Sequence, residues 1–140
     1  MCSSDLQFKL ATVGAFHSLL MKEVPGRFPE IRWGFIEIGA SWVPYVLTDL
    51  RDRFERQGKE FPDAPFAAYN LWVACETKDD LPYILARTGE DHMVVGTDYG
   101  HADPSSEISA IQRIGDDDRL EADVRRKILD DNPRRLYGLN

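Results

Sequence analysis

The feature of this sequence that most limits its possible folds is a regular alternation of apolar, strand-like runs with amphipathic helical segments. Three runs are rich in branched and aromatic residues: "IRWGFIEIG" (31–39), "NLWVACE" (70–76) and "HMVVGTD" (92–98). Strands that alternate with helices pair in parallel, through right-handed crossovers. The sequence therefore predicts an α/β fold with a parallel sheet, in the order α-β-α-β-α-β-α.

The helices are predicted from their apolar stripes and from the residues that begin and end them. They are expected over residues 10–24, 42–58, 79–88 and 119–131, with a short closing helix at 132–138. Ser41 is expected to cap the second helix, and Thr77 with Asp80 resembles a capping box for the third. Asn132 is expected as the N-cap of the closing helix and Gly138 as its stop.

A formal net charge of −7 limits the partners of this chain of 140 residues. Nucleic acids and anionic membranes favour basic surfaces, so neither is an expected partner. No apolar run approaches the roughly 20 residues of a membrane span, and the N-terminus lacks the layout of a secretory signal. Cys75 lies in an apolar run and is expected as a buried free thiol. We therefore expect a reduced, cytoplasmic setting.

The first residues are interpreted separately from the fold. After Met1, the sequence Cys-Ser-Ser-Asp-Leu corresponds to one reading frame of a common short-read sequencing adapter. We expect residues 1–6 to be non-native and the native chain to begin further upstream. Codons in the underlying DNA that differ from the adapter would contradict this expectation. The expected fold therefore comprises residues 7–140.

An acidic residue stands at or near the end of each predicted strand: Glu37, Glu76 and Asp98. The carboxyl ends of parallel strands meet at one edge of the sheet, where function collects. Three carboxylates there could hold a divalent cation, or one could act as a general base. Alternatively, acids follow strands because the next helix N-terminus favours negative charge. Glu76, beside Thr77, fits this alternative best.

The remaining candidates are Asp98, a tryptophan and the three histidines. The position of Asp98 alone supports a role in a functional site and an ordinary role after a strand equally. His101, three residues later, favours a site slightly because imidazole can bind metal or carry a proton. Trp42 follows a turn at this carboxyl edge of the sheet, the mouth of a possible site, and could line a pocket or pack at the helix start. His17 lies among apolar helix residues and is expected to pack, whereas His92 is expected to be solvated at the amino end of its strand.

Four segments together resemble the amidohydrolase-related metal-dependent hydrolases, a group that includes the aminocarboxymuconate semialdehyde decarboxylase-like enzymes. They are, in chain order, "RFPEIRWGFIEIGASWVPYVL", "NLWVACE", "VVGTDYGHAD" and "ILDDNPRRLYGL". The resemblance extends from about Leu10 onward and keeps the family's order, which is more specific than any single motif.

The resemblance implies that residues 1–140 form one partial domain: strands six, seven and eight of a (β/α)8 TIM barrel with their helices. A complete barrel needs roughly 250 residues. Asp98 matches the family's strand-eight aspartate, which binds the divalent metal and handles the proton of the attacking water or substrate. Glu37 stands where the family commonly has a histidine, and it either binds the metal or hydrogen-bonds substrate. The implied ion is zinc, with manganese or another divalent metal as alternatives; His101 and Trp42 are expected to touch substrate.

Two hypotheses for function follow. In the first, the intact protein hydrolyses a C–N or C–O bond, or decarboxylates without oxidation, using a small carboxylated or cyclic substrate and Asp98 as ligand and general base. This chain alone is expected to bind metal weakly and to turn over little, because a zinc site needs about three protein ligands. In the second, the chain is a non-catalytic α/β module that binds a protein partner. Two free sheet edges also favour association into homo-oligomers.

Overall fold

A computed structural model of the chain describes residues 4–100 and 106–139. Within these residues, three short strands form one parallel sheet in the order β1-β2-β3: β1 (Trp33–Phe35), β2 (Leu71–Cys75) and β3 (Met93–Val95). The register pairs Phe35 with Val73, and Val73 with Met93. The predicted parallel α/β arrangement is therefore confirmed.

Helices separate the strands, and more helices are present than the apolar pattern predicted. In chain order they are α1 (Ser4–Met21), α2 (Val24–Arg27), α3 (Val43–Arg56), α4 (Pro65–Ala68), α5 (Leu81–Thr88), α6 (Ala110–Gly115), α7 (Ala122–Arg126) and α8 (Asn132–Tyr137). The additional helices α2, α4 and α6 span four to six residues, too short to show an apolar period in the sequence. Across the described ranges, no helix has the length and apolar character needed to span a bilayer.

The two faces of the sheet pack against different partners. One face contributes alternate strand residues to a large core shared with α1, α3 and α5: Phe35, Leu71, Val73, Cys75 and Met93. The opposite face places Trp72, Ala74 and Val94 in a smaller cluster with Leu136 of α8. β2 is buried along its whole length, which explains its nearly continuous apolar sequence.

Ser41 does not cap α3, so that prediction is wrong. The N-cap position is occupied by Trp42, without a side-chain capping bond. The Ser41 hydroxyl instead donates to the carboxylate of Asp79. A hydrogen bond to an ionised acceptor is stronger than one between neutral groups, so the tertiary partner outcompetes the local cap.

The capping box predicted from Thr77 and Asp80 is also wrong. Asp80 is the N-cap of α5 and accepts a bond of 3.4 Å from the backbone N–H of Tyr83. Thr77 is not part of the cap, because its hydroxyl donates to Glu107 at 2.6 Å. As with Ser41, a carboxylate from a distant segment is the preferred acceptor.

Asn132 does not begin a separate helix, which corrects the third predicted cap. A π-helical turn (Lys127–Asp131) joins α7 to α8, so Asn132 lies inside one helical run. Its fully buried amide nitrogen donates to the carbonyls of Glu90 and Met93, at 2.7 Å each. Met93 is the first residue of β3 and Glu90 lies three residues before it, so Asn132 supplies a donor to the backbone at and just before the start of this strand. Gly138 ends α8 in a left-handed conformation, as predicted.

Candidate functional site

The carboxyl ends of the three parallel strands lie at one edge of the sheet, and the loops beyond them (residues 36–42, 76–80 and 96–100) are called the rim here. β1 and β3 are shorter than predicted and end at Phe35 and Val95. Glu37 and Asp98 therefore lie in rim loops, two and three residues beyond the last strand residue. Backbone in a loop is free to adopt conformations that a strand excludes.

Glu37 and Asp98 share an uncommon backbone conformation. Their φ angles are 66° and 51°, in the left-handed region, where only two other non-glycine residues of the described ranges lie. This region costs most residues with a Cβ roughly 1–2 kcal/mol, whereas Asp and Asn visit it more readily because their short side chains can hydrogen-bond locally. Such strain persists only where the surrounding structure imposes it, and it concentrates at functional sites. Within the rim loops, the two predicted metal ligands are the non-glycine residues with this conformation; the other two residues, Glu23 and Asn70, lie outside the rim.

The chemistry of these two carboxylates fits a divalent cation, because both are oxygen donors that hard metal ions accept. Glu37 is exposed and Asp98 is half-buried. His101, the third polar candidate, lies outside the described residues. Within the described residues, no group of three or more His, Cys, Asp or Glu side chains is placed to hold a metal ion. The described residues therefore present donors suited to a metal but not a full set of ligands.

Glu76, the third strand-end acid, is held by two lysines. Its carboxylate forms ion pairs with Lys9 of α1 at 3.1 Å and with Lys78 at 2.7 Å. Burial acts to raise the pKa of Glu76, but hydrogen bonds from the two lysines outweigh it and leave the pKa below its usual value. A carboxylate whose negative charge is balanced by two lysines holds a proton weakly and is therefore poorly suited to act as a general base. The structure thus favours a structural role for Glu76, as position had suggested.

Trp42 lies at the start of α3 and contributes to the core. Its ring packs edge-on against Phe16, with centroids 4.9 Å apart, and lies 6.4 Å from Phe35. The indole N–H donates to the carbonyl of Gly39 at 2.8 Å. The structure thus provides the packing role that the sequence left open, and contact with substrate stays a prediction.

Asp79 is a rim residue that the sequence interpretation missed. The side chain is only 4% exposed, and its carboxylate accepts bonds from the backbone N–H groups of Ala40 at 2.9 Å and Glu76 at 2.8 Å. With the Ser41 hydroxyl as third donor, Asp79 joins the loops after β1 and β2. The sequence signal for Asp79 was the pair of acids, Asp79 and Asp80, before a helix. One acid is enough for the cap, so the other was available for a different role.

Glu107 is the second missed residue and joins the loops after β2 and β3. Its carboxylate accepts the Thr77 hydroxyl, and its backbone N–H donates to the carbonyl of Thr97 at 2.9 Å. Arg113 forms an ion pair with the same carboxylate. Together, Asp79 and Glu107 tie each rim loop to its neighbour. No local sequence signal marks Glu107, because its partners Arg113, Thr97 and Thr77 are 6, 10 and 30 residues away, beyond the i,i+4 spacing of a helix.

The other titratable candidates take no part in the rim. His17 packs between α1 and α3, with its Nε2 atom 3.0 Å from the Asp49 carboxylate. His92 is half-buried, so the prediction that it is solvated is wrong. Its ring packs against Trp72, with centroids 4.7 Å apart and the ring planes tilted by 52°. Burial first, and Arg135 second, lower the pKa of His92. Cys75 is a buried free thiol, as predicted, and burial raises its pKa to about 12.

Comparisons with known proteins agree on one family. The sequence profile of the amidohydrolase family matches residues 5–139. The fold is similar to a crystal structure of an amidohydrolase from Mycobacterium avium subsp. paratuberculosis K-10, with a TM-score of 0.76 and 26% sequence identity. The match covers 93% of this chain and 34% of that one, so the chain spans about a third of the length of this relative. No curated protein matches the sequence.

Proposed function

The chain belongs to the amidohydrolase family, and from that premise we propose that it is the C-terminal part, strands six to eight, of a metal-dependent (β/α)8-barrel enzyme. The intact enzyme would hydrolyse a C–N or C–O bond, or decarboxylate without oxidation, with a small carboxylated or cyclic substrate in the cytoplasm. Membership of the amidohydrolase family favours hydrolysis over decarboxylation. The match of this chain to 34% of the length of a solved amidohydrolase supports the partial barrel.

The observation that carries this proposal is the left-handed backbone shared by Glu37 and Asp98 at the ends of two strands of one parallel sheet. A bound divalent metal, zinc or manganese, would polarise a substrate carbonyl or lower the pKa of a water molecule. The Asp98 carboxylate would bind the ion and accept the proton of the attacking water. Glu37 would supply a second oxygen donor, while Trp42 and His101 would border the substrate at the mouth.

Titration of the isotope-labelled 140-residue chain with Mn²⁺, followed by NMR, tests the proposal. Paramagnetic broadening should appear first at the amides of Glu37 and Asp98. We expect weak binding, with a Kd on the order of 10⁻⁴–10⁻³ M, because few oxygen ligands converge. Asp98→Asn keeps the shape of the side chain but removes its charge, and should weaken binding by about tenfold or more.

Glu60→Gln is the matched control for the charge, since Glu60 is exposed on the loop after α3. This variant should bind Mn²⁺ as the unsubstituted chain does. Broadening that spreads over surface acids without preference, or an affinity that Asp98→Asn leaves unchanged, would contradict the assignment of Asp98 as a ligand.

A non-catalytic module that binds a protein partner is the second candidate function. It is favoured by two large apolar side chains, Ile108 just before α6 and Ile111 within α6, which are 69% and 56% exposed. Exposed apolar residues that lie together can mark interaction sites. If this candidate is correct, Ile108→Ser should abolish capture of the partner while Asp98→Asn leaves it intact. The metal-dependent enzyme predicts the reverse dependence for Mn²⁺ binding.

A further inference from the structure

Asp79 is a charged side chain inside the protein that the proposed chemistry does not use. Among the described residues, Asp79 and Asn132 are the buried polar side chains. A buried carboxylate is costly unless hydrogen bonds compensate for the lost water. Asp79 is compensated by three neutral donors: the backbone N–H groups of Ala40 and Glu76, and the Ser41 hydroxyl. These contacts are called the Asp79 bridge below.

The backbone on the β1 side of the bridge is shaped to receive the carboxylate. Gly39 has a φ of 65°, and a Cβ at this position would lie 3.2 Å from the Cδ atom of Glu76 and 3.3 Å from an Asp79 oxygen. Both approaches are closer than ordinary van der Waals contact, so a side chain here would require the two carboxylates to shift. Gly39 therefore allows both the turn and the close approach of the two loops.

Glu37 is only two residues before Gly39, and the residue between them is anchored. Ile38 is 4% exposed and so fixed in the interior. The left-handed conformation of Glu37 thus lies between the end of β1 and a segment pinned by a buried carboxylate. A strained conformation persists only when its surroundings impose it. On the side that follows Glu37, the Asp79 bridge supplies that constraint.

We propose that Asp79 is a positioning residue for Glu37: its buried carboxylate holds the loop after β1 so that Glu37 keeps its left-handed backbone at the rim. The inference rests on the proposed function, because the purpose of holding Glu37 in place is to present it as a metal ligand. Asp79 itself does not contact the ion or the substrate.

The test compares backbone chemical shifts in the labelled 140-residue chain with Asp79→Asn. Both backbone N–H groups bond to the same Asp79 oxygen, so the asparagine oxygen can keep these two bonds. Asparagine removes the negative charge, however, and places an amide donor where the other oxygen accepts from the Ser41 hydroxyl, so the bridge should weaken. The carbon shifts of Glu37 should lose their left-handed signature, while those of β3 and Asp98 stay unchanged. Asp80→Asn is the matched control: it makes the same charge change one residue away, and Asn caps a helix as well as Asp.

Mn²⁺ titration of the same samples gives the functional readout. In Asp79→Asn, the apparent affinity measured at Glu37 should fall by about 10–100-fold, the usual effect of losing a residue that supports a ligand. Broadening at Asp98 should persist. A loss confined to Glu37 distinguishes positioning from a general loss of structure.

The possible outcomes separate the two proposals. If Mn²⁺ binds nowhere at the rim of the unsubstituted chain, the proposed function fails, and the carbon shifts still decide the role of Asp79. Unchanged Glu37 shifts, with altered amide shifts at Ala40 and Glu76, would overturn the positioning role. If Asp79→Asn does not fold, Ser41→Ala decides instead: removing one donor should shift Glu37 in the same direction by a smaller amount, and no shift would overturn the proposal.

Discussion

Glu37 and Asp98 hold backbone conformations that glycine would adopt without strain. Each is nevertheless a carboxylate at the end of a strand of a parallel sheet, where the functional residues of such folds lie. Retaining a strained acid where glycine would be more stable is the pattern expected when chemistry and stability compete. Replacing Glu37 by glycine therefore tests this competition directly.

We predict that Glu37→Gly stabilises the chain. Removing the Cβ relieves roughly 1–2 kcal/mol of strain, against about 0.4–1 kcal/mol for the greater freedom of glycine in the unfolded state. Glu37 is exposed, so no packing is lost. Urea denaturation should show a gain of up to about 1 kcal/mol, with Mn²⁺ binding weakened.

Glu60→Gly is the control, because Glu60 is exposed and does not have a positive φ. It should lower the free energy of unfolding by up to about 1 kcal/mol. Equal destabilisation by the two substitutions would show that the backbone of Glu37 is unstrained.

His92 should make stability depend on pH. Its pKa is lowered in the folded chain, chiefly by burial and then by Arg135, with Asp91 acting in the opposite sense. The unfolded state therefore takes up a proton first as the pH falls below about 6.5. The stability that neutral His92 contributes is fully present above that pH and is lost as the pH falls toward the folded pKa. Urea unfolding at about pH 7.5 and 5.5 measures this loss, and His92→Gln should reduce it.

At the scale of elements, the run from α7 through the π-helical turn to α8 supports β3. Asn132 is the contact point, since its amide nitrogen donates to the carbonyls of Glu90 and Met93 and its oxygen accepts from Arg135. Ile128, in the π-helical turn, is fully buried in the main core. One helical run thus packs against the sheet and also satisfies the backbone where β3 begins.

Asn132→Ala should therefore be among the most destabilising polar substitutions in the chain. It leaves two carbonyls without their donor, and an unsatisfied buried group costs about 1–3 kcal/mol. The loss should appear as a lower urea midpoint with an unchanged m-value. Gln57→Ala, at an exposed position at the end of α3, should change stability by less than about 0.5 kcal/mol. Similar losses in the free energy of unfolding for the two variants would contradict the role of Asn132 in supporting β3.

Across the whole molecule, the sheet has two outer edges that no strand covers within the described residues. Open edges of parallel strands are places where further strands can pair. The similar amidohydrolase is about three times as long as the matched region, which is consistent with additional strands beside these edges in a longer chain. In the 140-residue chain we expect copies to associate as concentration rises.

Gly34→Pro should reduce this association without breaking the sheet. The N–H of Trp33 donates to the carbonyl of Asn70, so by the alternation along a strand the N–H of Gly34 faces the outer edge. Proline removes that donor and is tolerated on edge strands. A Cβ at this position meets only ordinary contacts, of 3.6 Å or more. Sedimentation at increasing concentration should show a weaker dimer for Gly34→Pro than for Gly34→Ala, which keeps the N–H. Equal association of the two variants would place the contact elsewhere.

Much of the fold could be predicted from the sequence, because strand and helix preferences are local. The alternation of apolar runs identified the parallel sheet, and the apolar stripes identified α1, α3 and α5. The short strands β1 and β3 were overestimated, because an apolar run does not show where the backbone turns. The turn at Glu37 depends on a constraint that comes from Asp79, 42 residues later in the chain.

The sequence alone was sufficient for the class of fold, for the placement of Glu37 and Asp98 after two strands of one parallel sheet, and for the resemblance to amidohydrolases. The tertiary structure alone decided which polar groups meet. Ser41, Thr77 and Asn132 are residues that cap helices locally, yet each bonds to a group about 30 to 40 residues away. The physical reason is that apolar periodicity reports burial along one element, whereas a buried polar group must find a partner wherever the packed chain provides one.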